Sequence, residues 1–182
     1  VKNILITGCP GVGKTTLVRR LVPELAAWQP VGFYTEEIRE SGVRRGFEWV
    51  DLRGRRGVLS HVALHGPYRV GRYGVDVQGF EAYLASLDLT AAESRVLFID
   101  EIGKMECLSA RFRSLLKQAL ESERPLVATI ALKGTGFIEA VKSREDVELH
   151  ELRPDNRDSL ARHILGRLGE ALSGTASPPP QA

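Results

Sequence analysis

Apolar positions along this chain repeat with two periods, and the changes between them divide it into elements. Residues 2–7 (KNILIT) form a largely apolar, β-branched run that ends at Gly8, which suits a strand buried on both faces. Over 14–28 the apolar residues Leu17, Val18, Leu21, Val22 and Leu25 make a helical stripe, and Pro30 and Gly32 break it. Between 33 and 64 the period falls to two. FYTEEIRE, GFEWVDL and RGVLSHVAL alternate polar and apolar residues across Gly- and Arg-rich turns, which predicts a β-hairpin or short meander. Residues 65–76 contain Gly66, Pro67, Gly71 and Gly74 and read as an irregular loop. A short helix is expected over 78–87, a buried strand over 95–100 and a helix over 108–121. Strands follow over 125–131 and 147–152, with a short helix at 137–142 between them. A helix over 155–172, with Asp155 as its N-cap, closes the fold.

Strands alternating with helices argue an α/β fold, a mostly parallel sheet with helices on both faces and an antiparallel insertion at 33–64. The 182 residues, 43% apolar and 26% charged, suit one domain, expected over 1–172. The tail SGTASPPPQA, over 173–182, has the composition of a disordered segment. A net charge of +2 gives no bulk attraction to nucleic acid. Cys9 and Cys107 are too few and too far apart in sequence for a disulfide framework or a zinc site. The opening VKNILITG is too short for a signal peptide and no run could span a bilayer. A reduced, soluble, cytoplasmic protein is expected, with a monomer as the simplest state.

Gly8-Cys9-Pro10-Gly11-Val12-Gly13-Lys14-Thr15 fits the phosphate-loop pattern G-x-x-x-x-G-K-[ST] without mismatch, with a strand before it and a helix after it. Its glycines let backbone N–H groups turn inward around phosphates, and the helix that follows presents its positive end to them. In this motif Lys14 bridges the β- and γ-phosphates and the Thr15 hydroxyl ligates Mg²⁺. Cys9 occupies a free position of the motif and reads as a tolerated small residue.

The second acidic motif is VLFIDE, an apolar strand ending in Asp100 and Glu101. Set beside the phosphate-loop strand, or one strand away, its carboxyl end reaches the γ-phosphate. Asp100 would then hold Mg²⁺ and Glu101 would activate water. The same letters also read as D-x-x-G, ending at Gly103, the switch of a GTP-binding protein. That reading needs N-K-x-D after a later strand, and TIALKGTG (129–136) does not contain it. Gly103 keeps only the role of letting backbone approach the γ-phosphate. Thr129, at the end of its strand, is either a γ-phosphate contact or an ordinary β-branched strand residue. Lys104 either neutralises charge on the transferred phosphoryl group or is a surface lysine, and Arg72 has the same two readings.

GCPGVGKTTL, GFYTEEIRESGVRRGFEWVDL, VGRYGVD, VLFIDEIGKMECLS and DNRDSL together resemble the THEP1-type nucleoside-triphosphatases, in order from residue 1 to about 169. The resemblance implies a RecA-like three-layer fold and Mg²⁺-dependent hydrolysis of ATP, GTP and other nucleoside triphosphates. It implies phosphate binding by Gly8, Cys9, Pro10, Gly11, Val12, Gly13, Lys14, Thr15 and Thr16, metal binding by Thr15 and Asp100, and water activation by Glu101. Asn156 and Arg157 match a recurrent family pair, expected near the base or phosphates. One alternative is a phosphotransferase, in which Glu101 deprotonates an acceptor hydroxyl. Another is a nucleic-acid contact through Arg39, Arg44, Arg45, Arg53, Arg55 and Arg56, weighed against a solvated hairpin.

Overall fold

The computed structural model describes residues 2–87 and 96–173. Among the described residues nine strands form one sheet in the order β5-β6-β4-β3-β2-β7-β8-β1-β9. Strand β1 (Asn3–Thr7) lies next to the edge and pairs in parallel with β8 (Leu126–Ile130) and with the edge strand β9 (Val147–Glu151). Strand β7 (Leu97–Ile102) lies on the far side of β8, also parallel.

The alternation of side chains across these strands builds the layers. Ile4, Ile6, Phe98 and Val127 face one side, where helices α1 (Lys14–Glu24) and α5 (Arg157–Ser173) pack through Leu17, Val18, Leu21, Leu160, Ile164 and Leu168. Leu5, Leu97, Ile99, Leu126 and Ala128 face the other. Helices α2 (Val77–Ser86), α3 (Ala110–Glu121) and α4 (Phe137–Lys142) cover that side with Phe80, Leu84, Phe112, Leu116, Leu120 and Ile138. The expected three-layer α/β architecture is present.

The antiparallel part is joined to the core more closely than its periodicity implied. Strand β2 (Val31–Glu40) is continuous: residues Val31 to Phe33 pair in parallel with β7, and Phe33 to Glu40 pair antiparallel with β3 (Val43–Asp51). Strand β4 (Arg56–His61) extends the meander. The stretch 65–76, expected as an irregular loop, contains a small hairpin. Its strands β5 (Arg69–Val70) and β6 (Tyr73–Val75) add to β4. Two- and three-residue strands carry no periodicity of their own; the edge of β4 supplies the partner of β6, and β6 that of β5.

Three boundaries also differ. The first helix ends at Glu24 and a 3₁₀ turn, Ala26–Trp28, completes the stripe; Pro23 contributes no N–H to continue the ladder. The third helix starts at Ala110 after a 3₁₀ turn, Glu106–Leu108. Its cap is Ser109, whose hydroxyl accepts from the Phe112 N–H at 2.9 Å. The last helix starts at Arg157, so Asp155 is not its cap. Asn156 precedes the helix instead, and its carbonyl accepts from the Leu160 N–H at 2.8 Å. The start of the strand expected at 95, and nearly all of the tail at 173–182, lie outside the described residues. Among the described residues no helix is long and apolar enough to cross a membrane.

Candidate active site

The carboxyl ends of β1, β8 and β7 and the middle of β2 open onto one cleft of about 640 Å³. Gly8, Pro10, Gly11, Gly13, Lys14, Thr15 and Thr16 form its floor. Gly8 has a φ of +149°, and a Cβ there would stand 2.7 Å from the Leu152 carbonyl oxygen. Only glycine allows the loop to pass so close to the chain leaving β9. Gly13 caps α1 in a left-handed conformation and supplies no side-chain cap. The first N–H groups of α1 therefore remain open to an anion from the cleft.

Lys14 is 9% exposed. Its Nζ donates to the Gly8 carbonyl at 3.2 Å and lies 3.9 Å from Glu101 Oε2. Cys9 is exposed but does not line the cleft, and the Val12 side chain packs into the core beneath α1. Both can reach a phosphate only through the backbone. Arg157 braces the loop from behind, donating from Nη2 to the Val12 carbonyl at 2.8 Å. Asn156 spends its amide on the turn after β9. Its Oδ1 accepts from the Arg153 N–H at 2.8 Å and its Nδ2 donates to the Glu151 carbonyl at 2.9 Å.

Strand β8 lies between β1 and β7, so the second acidic motif stands one strand away from the phosphate loop. Ile6 pairs with Thr129, and the β7–β8 register shifts between Ile99 and Ile102. The irregularity turns Asp100 toward Thr15. Thr15 Oγ1 donates to Asp100 Oδ2 at 2.7 Å, and Thr129 Oγ1 donates to the other oxygen, Oδ1. Asp100 is fully buried, which pushes its pKa up; the Thr129 and Thr15 hydroxyls, the Thr35 backbone and Lys14 oppose that. A buried carboxylate next to a threonine hydroxyl is a hard-oxygen pair that suits Mg²⁺, which keeps most of its waters. A cation at that point would also offset the cost of burying Asp100.

Glu101 faces the cleft beside Lys14. Burial raises its pKa and Asp100 raises it further, while Lys14 lowers it. Behind it stands Glu106, 6% exposed, which the sequence reading passed over. Both carboxylates crowd the space where a Gly103 Cβ would stand, with Glu106 Oε2 at 2.7 Å and Glu101 Oε1 at 3.1 Å. Gly103 is thus enclosed beneath the two acids and does not line the cleft. Burial, then the charges of Glu101 and Asp100, push the Glu106 pKa up to about 8.

The folded pKa of Glu106 stands above its ordinary value of 4.5. The folded state therefore holds the proton longer, and stability falls as pH rises from about 4.5 to about 8. Glu106→Gln removes that loss. Its gain in melting temperature over the parent should be larger at pH 9 than at pH 5, measured by metal-free thermal unfolding. A gain that does not change with pH would refute the assignment.

Lys104 is exposed on the turn after β7 and does not line the cleft. The cleft's further cations are Arg44 and Lys133, and neither was singled out for this chemistry from sequence. Lys133 follows the carboxyl end of β8, so the rule that ligands sit at strand ends in open α/β sheets could have found it. Thr35, Glu37, Arg44 and Phe47 enter from β2 and β3. Arg44 pairs with Glu37 at 2.9 Å, donates to the Tyr73 hydroxyl at 3.1 Å and lies over the Phe47 ring. Arg72 also donates to Tyr73 and does not line the cleft. Arg39, Arg45, Arg55 and Arg56 pair with Glu37, Glu40, Asp51 and Glu48. This neutralises most of the charge on which a nucleic-acid contact would rest.

A family model described as NTPase matches residues 3–165. The chain belongs to this NTPase family. It is 47% identical over 164 residues to the nucleoside-triphosphatase THEP1 of Thermotoga petrophila, covering 90% of each protein. The crystal structure of THEP1 from Aquifex aeolicus superposes with a TM-score of 0.82 at 38% identity, covering 91% of this chain and 98% of that one. The solution structure of a human cancer-related nucleoside triphosphatase gives 0.77 at 36% identity, covering 92% and 97%.

Proposed function

We propose that this NTPase hydrolyses nucleoside triphosphates to diphosphate and phosphate with Mg²⁺ and little preference for the base. The observation that carries the reading is the Asp100 carboxylate, held between the Thr15 and Thr129 hydroxyls at the foot of a cleft that also contains Lys14 and Glu101. Thr15 and Asp100 would hold Mg²⁺, which would supply positive charge to offset that of the phosphates. The open N–H groups of the phosphate loop and α1 bind the phosphate oxygens, and Lys14 leaves Gly8 and Glu101 to bridge them. Released from Lys14, the Glu101 carboxylate accepts the proton of a water attacking the γ-phosphorus. Arg44 and Lys133 face the same space and serve as further anion contacts. Thr129 holds Asp100 in place.

Base tolerance is supported by the missing guanine-reading motif and by the apolar faces of Phe47 and Leu132 in the lining. A stacking surface accepts any base. The free thiols of Cys9 and Cys107 accord with the reducing, cytoplasmic setting expected from sequence.

Phosphate release from ATP, GTP, CTP and UTP tests the proposal. Rates should agree within about tenfold, a difference of roughly 1.4 kcal/mol. They should vanish with EDTA and return with Mg²⁺. Diphosphate formed only when an acceptor hydroxyl is added, with the phosphoryl group on that acceptor and none free, would replace hydrolysis by the phosphotransferase reading.

A further inference from the structure

Away from the cleft, the edge strand β9 and the helix α5 bring together two imidazoles and a carboxylate. Glu148 and His150 are two residues apart on β9, and therefore share a face of the sheet. His163 is on the second turn of α5, which packs against that side through Leu160 and Ile164. The Nε2 atoms of His150 and His163 each lie 2.9 Å from the same oxygen, Glu148 Oε1. The two rings meet edge to face with centroids 5.0 Å apart. One ligand atom from each of the three residues falls within 4.8 Å of the others. His150 Nε2 is sealed from solvent and makes no hydrogen bond, so its contact with Glu148 is close but poorly directed.

We propose that Glu148, His150 and His163 form a binding site for a borderline divalent transition metal, Zn²⁺ or Co²⁺. The donor set decides the class. Two imidazole nitrogens and one carboxylate oxygen suit these ions, whereas Mg²⁺ and Ca²⁺ prefer oxygen alone. The size also fits. Metal–ligand bonds of about 2.0–2.2 Å in a tetrahedron separate neighbouring ligands by about 3.4 Å. The two 2.9 Å contacts need to open only slightly to reach that spacing.

The surroundings prepare the ligands. Arg167, one turn beyond His163, donates to the other oxygen, Glu148 Oε2, at 3.3 Å and also pairs with Glu170 at 3.1 Å. That bond fixes the carboxylate from outside and leaves Oε1 for the metal, the arrangement expected of a partner to a ligand. The half-exposed position of His163 leaves a side open for water as fourth ligand. A metal here ties the last helix to the edge of the sheet.

The test uses the untagged full chain, stripped with EDTA and then supplied with excess Mg²⁺ and ADP to occupy the nucleotide cleft. Co²⁺ is titrated and followed by its visible d–d absorption, with Zn²⁺ added in parallel by calorimetry. The parent should bind one equivalent and melt at a higher temperature with Zn²⁺. His163→Ala and Glu148→Gln should each weaken binding at least about tenfold, roughly 1.4 kcal/mol. His163→Ala should keep its metal-free melting temperature near that of the parent and its Mg²⁺-supported phosphate release unchanged. His65→Ala, elsewhere on the surface, should bind as the parent does. A parent that binds neither metal would overturn the proposal. So would undiminished binding in both Glu148→Gln and His163→Ala.

Discussion

Glu101→Gln should retain nucleotide binding while losing turnover by roughly a hundredfold or more. The substitution keeps the shape of the side chain, the hydrogen-bonding reach beside Lys14 and the packing over Gly103. It removes the basic oxygen. The phosphate loop and the Thr15–Asp100 pair do not depend on that oxygen, so the dissociation constant for a diphosphate should stay close to that of the parent. The two measurements belong together: a fluorescent-diphosphate titration and single-turnover phosphate release. Glu101 stands 3.9 Å from Lys14, so a second outcome is informative. If turnover is unchanged and binding tightens, Glu101 acts only as a counter-ion that phosphate displaces, and its place as base is lost.

Gly32→Ala should be the most damaging small substitution for stability. Gly32 is in β2 opposite Phe98 of β7, and a Cβ there would stand 1.7 Å from the Phe98 carbonyl oxygen. The obstacle is backbone in the middle of a sheet, so no rotamer change relieves it. The φ of +140° adds strain for any side chain. A loss of about 4 kcal/mol or more is expected, large against a typical total of about 5–15 kcal/mol. The denaturant midpoint reads it directly. Phe98 is two residues before Asp100, so the fraction that still folds should also turn over more slowly. A variant with the parent's midpoint and rate would show that β2 and β7 are not joined here.

The layers and the phosphate loop were legible because each is written in local pattern. Ile4, Leu5 and Ile6 announce a strand buried on both faces, and Gly8 to Thr15 specify a loop with fixed spacing. Asp100 and Glu101 were legible as a strand-end pair. Their distance from the loop was not, because the choice of β8 as the intervening strand is a matter of topology that no window of sequence carries. The same limit hid Thr35, Glu37, Arg44 and Phe47. Their alternation was plain, but which face met the cleft depended on β2 pairing with β7 and on the register of β3. Glu106 was missed for a different reason. An acid in a polar-looking turn reads as solvated, and its burial arises only when the turn folds beneath Glu101. Asn156 shows the converse: a residue singled out for ligand contact is occupied by two backbone hydrogen bonds of its own turn.

Strand β2 carries one further consequence. Its first residues are bonded to the strand that bears Asp100, and its later residues carry Thr35 and Glu37 into the cleft. Floor and wall are therefore parts of a single woven surface. A wall of this kind cannot swing like a flap without tearing main-chain bonds, so its response to a ligand is confined to side chains and to flexing where the β2–β3 register shifts, at Ile38 and Arg39. Force applied to the outer hairpin would be felt along the strand at Thr35, whose backbone is bonded to Asp100. A protein docking on that hairpin would thus be pulling on Asp100, the proposed metal ligand.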